Sequence, residues 1–159
     1  MTDPLITAPG AAEDAGRWVT ARIGASGFHT DVAAGGHTVI VDEPTTLGGT
    51  SMGPTPYEYL LTALGGCTVM TLRLYADRKG WPLESASVHL RSGRSHERDC
   101  EKCDEHKVDI GMIERRIELS GPITDEQRRR LLEIADRCPV KQTLERGIRV
   151  ETVGIPGTA

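Results

Sequence analysis

Apolar and polar residues alternate in three short segments near the start of the chain, and this period of two is typical of half-buried β-strands. The segments cover residues 18–23, 30–34 and 37–42, and Gly35-Gly36 separates the last two. Two adjacent glycines in this position favour a tight hairpin turn. The pattern therefore predicts three antiparallel strands, preceded by a disordered lead-in over residues 1–16 that is rich in Ala, Pro and Thr.

A long helix is predicted from about residue 56, after a loop in which glycine and proline are frequent. Its apolar residues recur at three- and four-residue spacing, and one such stripe consists of Leu60, Leu64, Cys67, Thr71 and Leu74. Apolar residues also occupy the other sides, so we expect the helix to be buried nearly all round. Gly80 is expected to end it.

The second half of the chain predicts two more strands, over residues 85–91 and 114–119, and then two short helices. Thr124 followed by Gln127 has the spacing of a capping box at a helix start. The segment Arg137-Cys138-Pro139 is expected to separate the two helices, and a last strand is predicted over residues 148–153. This order of strands and helices is that of an α+β protein, and residues 17–159 are predicted to form a single domain.

Composition and charge limit the partners. The net charge of −4 disfavours nucleic acid and anionic membranes as partners, because an acidic protein offers them no attractive field. The start of the chain has no signal-peptide pattern, and the longest apolar stretch, residues 59–72, is shorter than the roughly 20 residues that span a bilayer. We therefore expect a cytoplasmic protein. Its low hydrophobic content of 38% favours a homo-oligomer with a shared core.

Cys67 and Cys138 are the first candidates for chemistry. Cys67 lies in the middle of the long helix after two glycines, where a buried cysteine often acts as a small hydrophobic residue. Cys138 precedes Pro139 at the start of a predicted helix, where the helix dipole and free N–H groups stabilise a thiolate. From position alone, a structural role is the stronger interpretation for Cys67. For Cys138 a structural role and a reactive role both stay open.

A second cluster lies in the charged segment at residues 95–107. Its four candidate metal ligands are His96, Cys100, Cys103 and His106. Two cysteines and two histidines can complete a tetrahedral zinc site, so zinc is a candidate cofactor here. A redox-active CxxC pair and an exposed loop with incidental thiols are equally consistent with the spacing.

Two segments resemble the OsmC/Ohr family of osmotically inducible and organic hydroperoxide resistance proteins. They are residues 53–80 (GPTPYEYLLTALGGCTVMTLRLYADRKG) and residues 131–150 (LLEIADRCPVKQTLERGIRV), and each carries a cysteine in register. The chain is most similar to the OsmC-like branch with a DCxxC insert. The resemblance implies an OsmC-like fold, in which antiparallel sheets wrap around two central helices in an intertwined homodimer.

The resemblance also implies an activity. It implies that Cys67 attacks an organic hydroperoxide and becomes a sulfenic acid, that Cys138 resolves it to a disulfide, and that an external dithiol reduces the pair without a required cofactor. In the family an Arg activates the attacking cysteine, and a Glu ten residues before that cysteine holds the Arg. In this chain Tyr57 lies ten residues before Cys67, where the family has the Glu. Glu58 is therefore the nearest candidate for the Glu, and Arg22 is the nearest candidate for the Arg. The alternative is a non-catalytic redox-sensing or metal-binding dimer that uses residues 96–106.

Overall fold

The structure, a computed structural model, describes residues 18–92 and 111–154. The chain divides into two compact units, of which one holds residues 1–60 and 92–112 and the other holds residues 61–91 and 113–159. The predicted α+β class is confirmed, since the described residues form three α-helices and two antiparallel sheets. The predicted lead-in over residues 1–16 lies outside the described residues, and the single domain predicted for residues 17–159 stays a prediction.

The first unit contains a three-stranded antiparallel meander, as predicted. Its strands are β1 (Val19–Ile23), β2 (Thr30–Ala34) and β3 (His37–Val41), and β2 pairs with both neighbours. Gly35 and Gly36 both have positive φ, at 57° and 85°. Two successive positive φ angles are required by the tight turn that best matches the twist of a hairpin, which explains the two glycines.

A buried carboxylate organises the loop after β3. Asp42 is 1% exposed and accepts hydrogen bonds from the backbone N–H groups of Glu43, Thr50 and Met52 and from the Thr50 hydroxyl. The Thr50 hydroxyl is the main cause that lowers the pKa of Asp42 to about 2, against the opposing effect of burial. The charge is therefore buried with its hydrogen bonds satisfied, and it fixes the loop that leads to the first helix.

Helix α1 (Pro56–Lys79) has the bounds expected from the sequence, and Gly80 follows it with a φ of 63°. Its buried residues lie four apart on one face, at Leu64, Thr68, Leu72 and Ala76. The expectation that the helix is buried nearly all round is wrong for the described chain. Met70 is 67% exposed and Leu74 is 61% exposed, because the helices and strands of the second unit cover a single face.

The second unit contains strands β4 (Ser85–Ser92) and β5 (Ile113–Ser120), which pair in a two-stranded sheet. Helices α2 (Asp125–Ala135) and α3 (Pro139–Arg146) follow. The predicted capping box is confirmed, because the side chains of Thr124 and Gln127 each accept from the other's backbone N–H. The buried core of this unit consists of Leu72, Ala76, Leu83, Leu119, Leu131 and Ala135. Helices α1 and α2 are therefore held against each other by aliphatic packing.

The strand predicted over residues 148–153 is wrong. Residues 147–154 have no strand assignment, and the side chains of Ile148, Val150 and Val153 are 68%, 82% and 82% exposed. A strand requires a hydrogen-bonded neighbour, and the described residues 18–92 and 111–154 supply none to this segment. Among those same residues, no helix combines the length and the apolar character needed to cross a membrane.

Candidate active site

The fold of the second unit brings Cys67 and Cys138 together. Cys67 lies in the middle of α1, and Cys138 is the residue that caps the start of α3. The packing of Leu131 and Ala135 against Leu72 places the end of α2 beside α1, and Cys138 follows three residues later. Both thiols are free, and each shifts the pKa of the other, so the two side chains lie close together. Two cysteines that are distant in the sequence therefore form a reduced pair.

Their surroundings favour a thiolate on Cys138. Burial is the largest cause and raises the pKa of this thiol. The hydrogen bond from Cys67 and the backbone N–H groups of Lys141 and Val140 together have the larger, opposite effect, so that the pKa of Cys138 lies below its ordinary value. Cys138 lies at the N-terminus of α3, and its side chain accepts no capping hydrogen bond there. The positive end of the helix thus contributes to holding the charge.

The same surroundings favour a neutral thiol on Cys67. Burial is the main cause that raises its pKa, and the hydrogen bond and charge of Cys138 raise it further, against weaker opposition from the Val140 N–H and the Thr71 hydroxyl. The pKa of Cys67 therefore lies above its ordinary value, whereas the pKa of Cys138 lies below it.

The two thiols differ in their access to solvent. Cys138 is 0% exposed, whereas Cys67 is partly exposed. On α1, Met70 and Leu74 follow Cys67 at three- and seven-residue spacing and share its side of the helix. Both are well exposed, so Cys67 lies beside an open apolar surface and is the sulfur that a dissolved substrate reaches first.

The apolar side chains around Cys67 on α1 differ in exposure. Leu64 is 4% exposed, whereas Met70 is 67% exposed. An open pocket of the second unit is lined by Leu61, Thr62, Gly65, Gly66, Val69, Val88 and Leu90. A Cβ at Gly65 would lie 2.9 Å from Leu90 Cδ1, so a larger residue there would require the Leu90 side chain to move. At Gly66 such a Cβ would meet nothing within 4 Å.

Arg115 is a residue near the pair that the sequence analysis missed. It lies on β5 with a side chain that is 13% exposed. Its guanidinium donates to Thr68 Oγ1 at 3.2 Å, to the carbonyl of Ala135 at 3.0 Å and to Asp136 Oδ1 at 2.9 Å. The signal in the sequence was the period of two, because residues 113, 115, 117 and 119 share one face of the strand, and the other three are Ile, Ile and Leu.

Glu58 and Arg22, the candidates for activating Cys67, lie in the first unit. Glu58 Oε2 accepts from the N–H of Thr55 at 2.7 Å, and the N–H of Glu58 donates to the Thr55 hydroxyl at 3.3 Å. This reciprocal pair has the form of a capping box at the start of α1. Arg22 is exposed on β1, opposite Asp31 of β2. A catalytic role for either residue stays a prediction.

The four candidate zinc ligands lie outside the described residues. His96, Cys100, Cys103 and His106 all fall between residues 92 and 111. Within the part of the chain that the structure describes, no group of three or more His, Cys, Asp or Glu side chains is arranged to hold a metal ion. The zinc site and the redox CxxC pair therefore stay predictions.

Comparisons with known proteins place this arrangement in a family. The sequence model described as OsmC-like protein matches residues 48–153. No curated protein matches the chain.

Solved structures with the same fold include three bacterial proteins of low sequence identity. The chain is similar to an OsmC-like protein of Mycoplasma pneumoniae, with 18% identity, a TM-score of 0.63 and coverage of 84% of this chain and 89% of that one. It is similar to an organic hydroperoxide resistance protein OsmC of Legionella pneumophila, with 16% identity, a TM-score of 0.60 and coverage of 81% and 88%. An organic hydroperoxide resistance protein of Elizabethkingia anophelis has 19% identity, a TM-score of 0.53 and coverage of 83% and 89%.

Proposed function

This chain belongs to the OsmC family, and we propose that it is a thiol-dependent peroxidase that reduces organic hydroperoxides. The observation that carries the proposal is the pair of free thiols, Cys67 and Cys138, which are distant in the sequence and interact in the fold. A protein of similar fold from Legionella pneumophila is described as an organic hydroperoxide resistance protein, which supports the same class of substrate. Reversible oxidation of a cysteine to a sulfenic acid requires a second thiol nearby, and this chain has one.

The proposed cycle assigns different roles to the two sulfurs. The Cys67 thiolate attacks the distal oxygen of the hydroperoxide, so that an S–O bond forms, the O–O bond breaks and the alkoxide leaves as the alcohol. The Cys138 sulfur then attacks the sulfenic acid on Cys67 and releases water as the disulfide forms. An external dithiol, the electron donor, restores both thiols by two exchange steps and leaves as its own disulfide.

The exposure of the sulfurs supports this assignment. Cys138 is fully buried, so a hydroperoxide cannot reach it before Cys67. Cys67 borders the open apolar surface formed by Met70 and Leu74. An apolar surface lowers the free energy of a bound alkyl chain and gives hydrogen peroxide no such gain. An alkyl or aryl hydroperoxide is therefore the proposed substrate.

We also propose a homodimer in which a second copy covers the apolar surface beside Cys67. The side chains of Met70 and Leu74 on α1 and of Ile148 and Val150 near the end of the chain are more than half exposed. Burial of such side chains against a partner is favourable by roughly 25 cal/mol per Å². The substrate would then be held between the two copies. The cytoplasmic location expected from the sequence stays a prediction.

A steady-state assay tests this function. With dithiothreitol as the dithiol, we expect the protein to consume cumene hydroperoxide faster than hydrogen peroxide, because the aryl group gains from the apolar surface. The matched control is the Cys67→Ser/Cys138→Ser variant, which should show only the rate of the buffer. Equal rates for the protein and this control, in a sample with unchanged circular dichroism, would rule the peroxidase out.

A further inference from the structure

The Cys138 side chain lies in the interior of the second unit. Helix α2 buries Leu131, Ile134 and Ala135, and Cys138 comes next at the three- and four-residue spacing of one helix face. The backbone keeps turning up to this residue, because the N–H of Arg137 donates to the Ile134 carbonyl at 2.9 Å and the N–H of Cys138 donates to the Ala135 carbonyl at 3.3 Å. Cys138 therefore ends a buried row of side chains, and it is 0% exposed.

Arg115 holds the end of α2 against α1. Its Nη1 donates to Thr68 Oγ1 at 3.2 Å and to the Ala135 carbonyl at 3.0 Å. Thr68 directly follows Cys67 on α1, and the Ala135 carbonyl also accepts the N–H of Cys138. One guanidinium group thus ties together the two segments that carry the cysteines.

Exposure of the Cys138 sulfur would require the end of α2 to leave its place. This end is held on α1 by aliphatic packing and by the side chain of Arg115, which is only 13% exposed. The second arm of the guanidinium, Nη2, donates to Asp136 Oδ1 at 2.9 Å. A buried charge that loses its hydrogen bonds is costly, so this part of the chain resists any motion that would turn Cys138 outward.

Cys67 has the opposite surroundings. Its thiol is partly exposed. Met70 and Leu74 follow it at three- and seven-residue spacing on α1, and their side chains are 67% and 61% exposed. A thiol that approaches from solvent therefore meets Cys67 and not Cys138.

We propose that Cys67 is also the sulfur at which the external dithiol attacks the oxidised pair, so that both halves of the cycle use one entrance and Cys138 never bonds to an outside molecule. This proposal deepens the proposed function and rests on it. Access is one of the factors that decide which sulfur of a disulfide is attacked. Attack on Cys138, with Cys67 as the leaving group, would require a thiolate to enter the buried end of α2.

Two exchange steps return the pair to two thiols. A thiolate of the dithiol bonds to the Cys67 sulfur as the bond between Cys67 and Cys138 breaks, and Cys138 leaves as a thiolate that takes a proton from solvent. The second thiol of the donor gives its proton to solvent and attacks the donor sulfur that is bonded to Cys67. The donor leaves as its own disulfide, Cys67 takes a proton, and two electrons have passed from the donor to the pair.

Trapping of the mixed disulfide with a monothiol tests the proposal without any peroxide. The pair in the Cys100→Ser/Cys103→Ser variant is first oxidised with diamide, which takes two electrons and two protons from the thiols, and is then exposed briefly to mercaptoethanol. Acid stops the exchange, and N-ethylmaleimide labels the freed thiol in the unfolded protein before peptide mass spectrometry.

We expect mercaptoethanol on Cys67 and maleimide on Cys138, because the attacked sulfur keeps the monothiol and the leaving sulfur becomes free. The reverse labels, or equal amounts of the two products, would overturn the proposal. A pair that diamide leaves reduced would overturn it as well.

Single-cysteine variants decide the question if the pair recloses too fast for trapping. In the same background, Cys138→Ser keeps Cys67 alone and Cys67→Ser keeps Cys138 alone, and both are treated with dithiodipyridine. We expect Cys67 to react about 100-fold faster in the folded protein, because a buried thiol reacts only through local opening, and both thiols to react alike in urea. Equal rates in the folded variants, or a faster Cys138, would overturn the proposal. Because these experiments use no peroxide, their failure is distinct from a failure of the peroxidase assay.

Discussion

Cys138→Ser will react once with an organic hydroperoxide and stop, whereas Cys67→Ser will not react at all. The first variant keeps the sulfur that reaches the substrate but has no thiol to resolve the sulfenic acid. The second keeps a fully buried sulfur that the hydroperoxide cannot reach. Without a dithiol we therefore expect a single turnover in Cys138→Ser, with a sulfenic acid on Cys67 that dimedone traps, and no sulfenic acid on Cys138 in Cys67→Ser.

The measurement is dimedone labelling followed by mass spectrometry, alongside steady-state turnover with dithiothreitol. A Cys100→Ser/Cys103→Ser variant is the control, because it changes two thiols and leaves the pair in the second unit intact. It should retain turnover. Undiminished turnover in Cys138→Ser would contradict the resolving role, and dimedone labelling of Cys138 in the Cys67→Ser variant would reverse the order of the two sulfurs.

Leu131→Ala will lower the free energy of unfolding by about 2–5 kcal/mol, the range for truncating a buried leucine. Leu131 is 0% exposed in the cluster that holds α2 against α1. Removal of its isopropyl group leaves a cavity in this cluster, which also contains Leu72 of α1 and Ala135 of α2. The effect is measured by urea denaturation at a fixed protein concentration, as a shift of the midpoint at unchanged slope.

The neighbouring residue supplies the control for this prediction. Leu132 has the same side chain on the same helix but is 43% exposed, so Leu132→Ala should lower the free energy of unfolding by only about 0.5 kcal/mol. Similar losses in the two variants would show that the packing between α1 and α2 does not anchor this unit. The Leu131→Ala variant should also lower the peroxidase rate, because Cys138 loses its fixed place beside Cys67.

Local signals in the sequence were sufficient for most of the fold. Gly35-Gly36 placed the hairpin, Gly80 placed the end of α1, and the Thr124–Gln127 capping box placed the start of α2. Each of these signals is decided by a few adjacent residues and their backbone geometry. The strand predicted over residues 148–153 was wrong for the opposite reason, because strand formation depends on a neighbour that the alternation of side chains does not specify.

The candidate site was predicted in part. The position of Cys138 before Pro139 predicted that Cys138 starts a helix, and that placement is confirmed. The stabilisation of its thiolate by the helix start stays a prediction. Contact between Cys67 and Cys138 followed from the resemblance and not from the spacing, since it depends on how α1 and α2 pack. Arg115 was missed because an arginine in a charged strand is usually solvated. Only its partners Thr68 and Ala135, distant in the sequence, explain its burial.

The most direct test of the account is the mass and disulfide map of fully reduced protein after about one equivalent of cumene hydroperoxide. The account predicts the loss of two thiols, a decrease of about 2 Da as two protons leave with the electrons, and a peptide in which Cys67 is linked to Cys138. Survival of all four thiols, or a link between Cys100 and Cys103 with Cys67 and Cys138 still reduced, would contradict it.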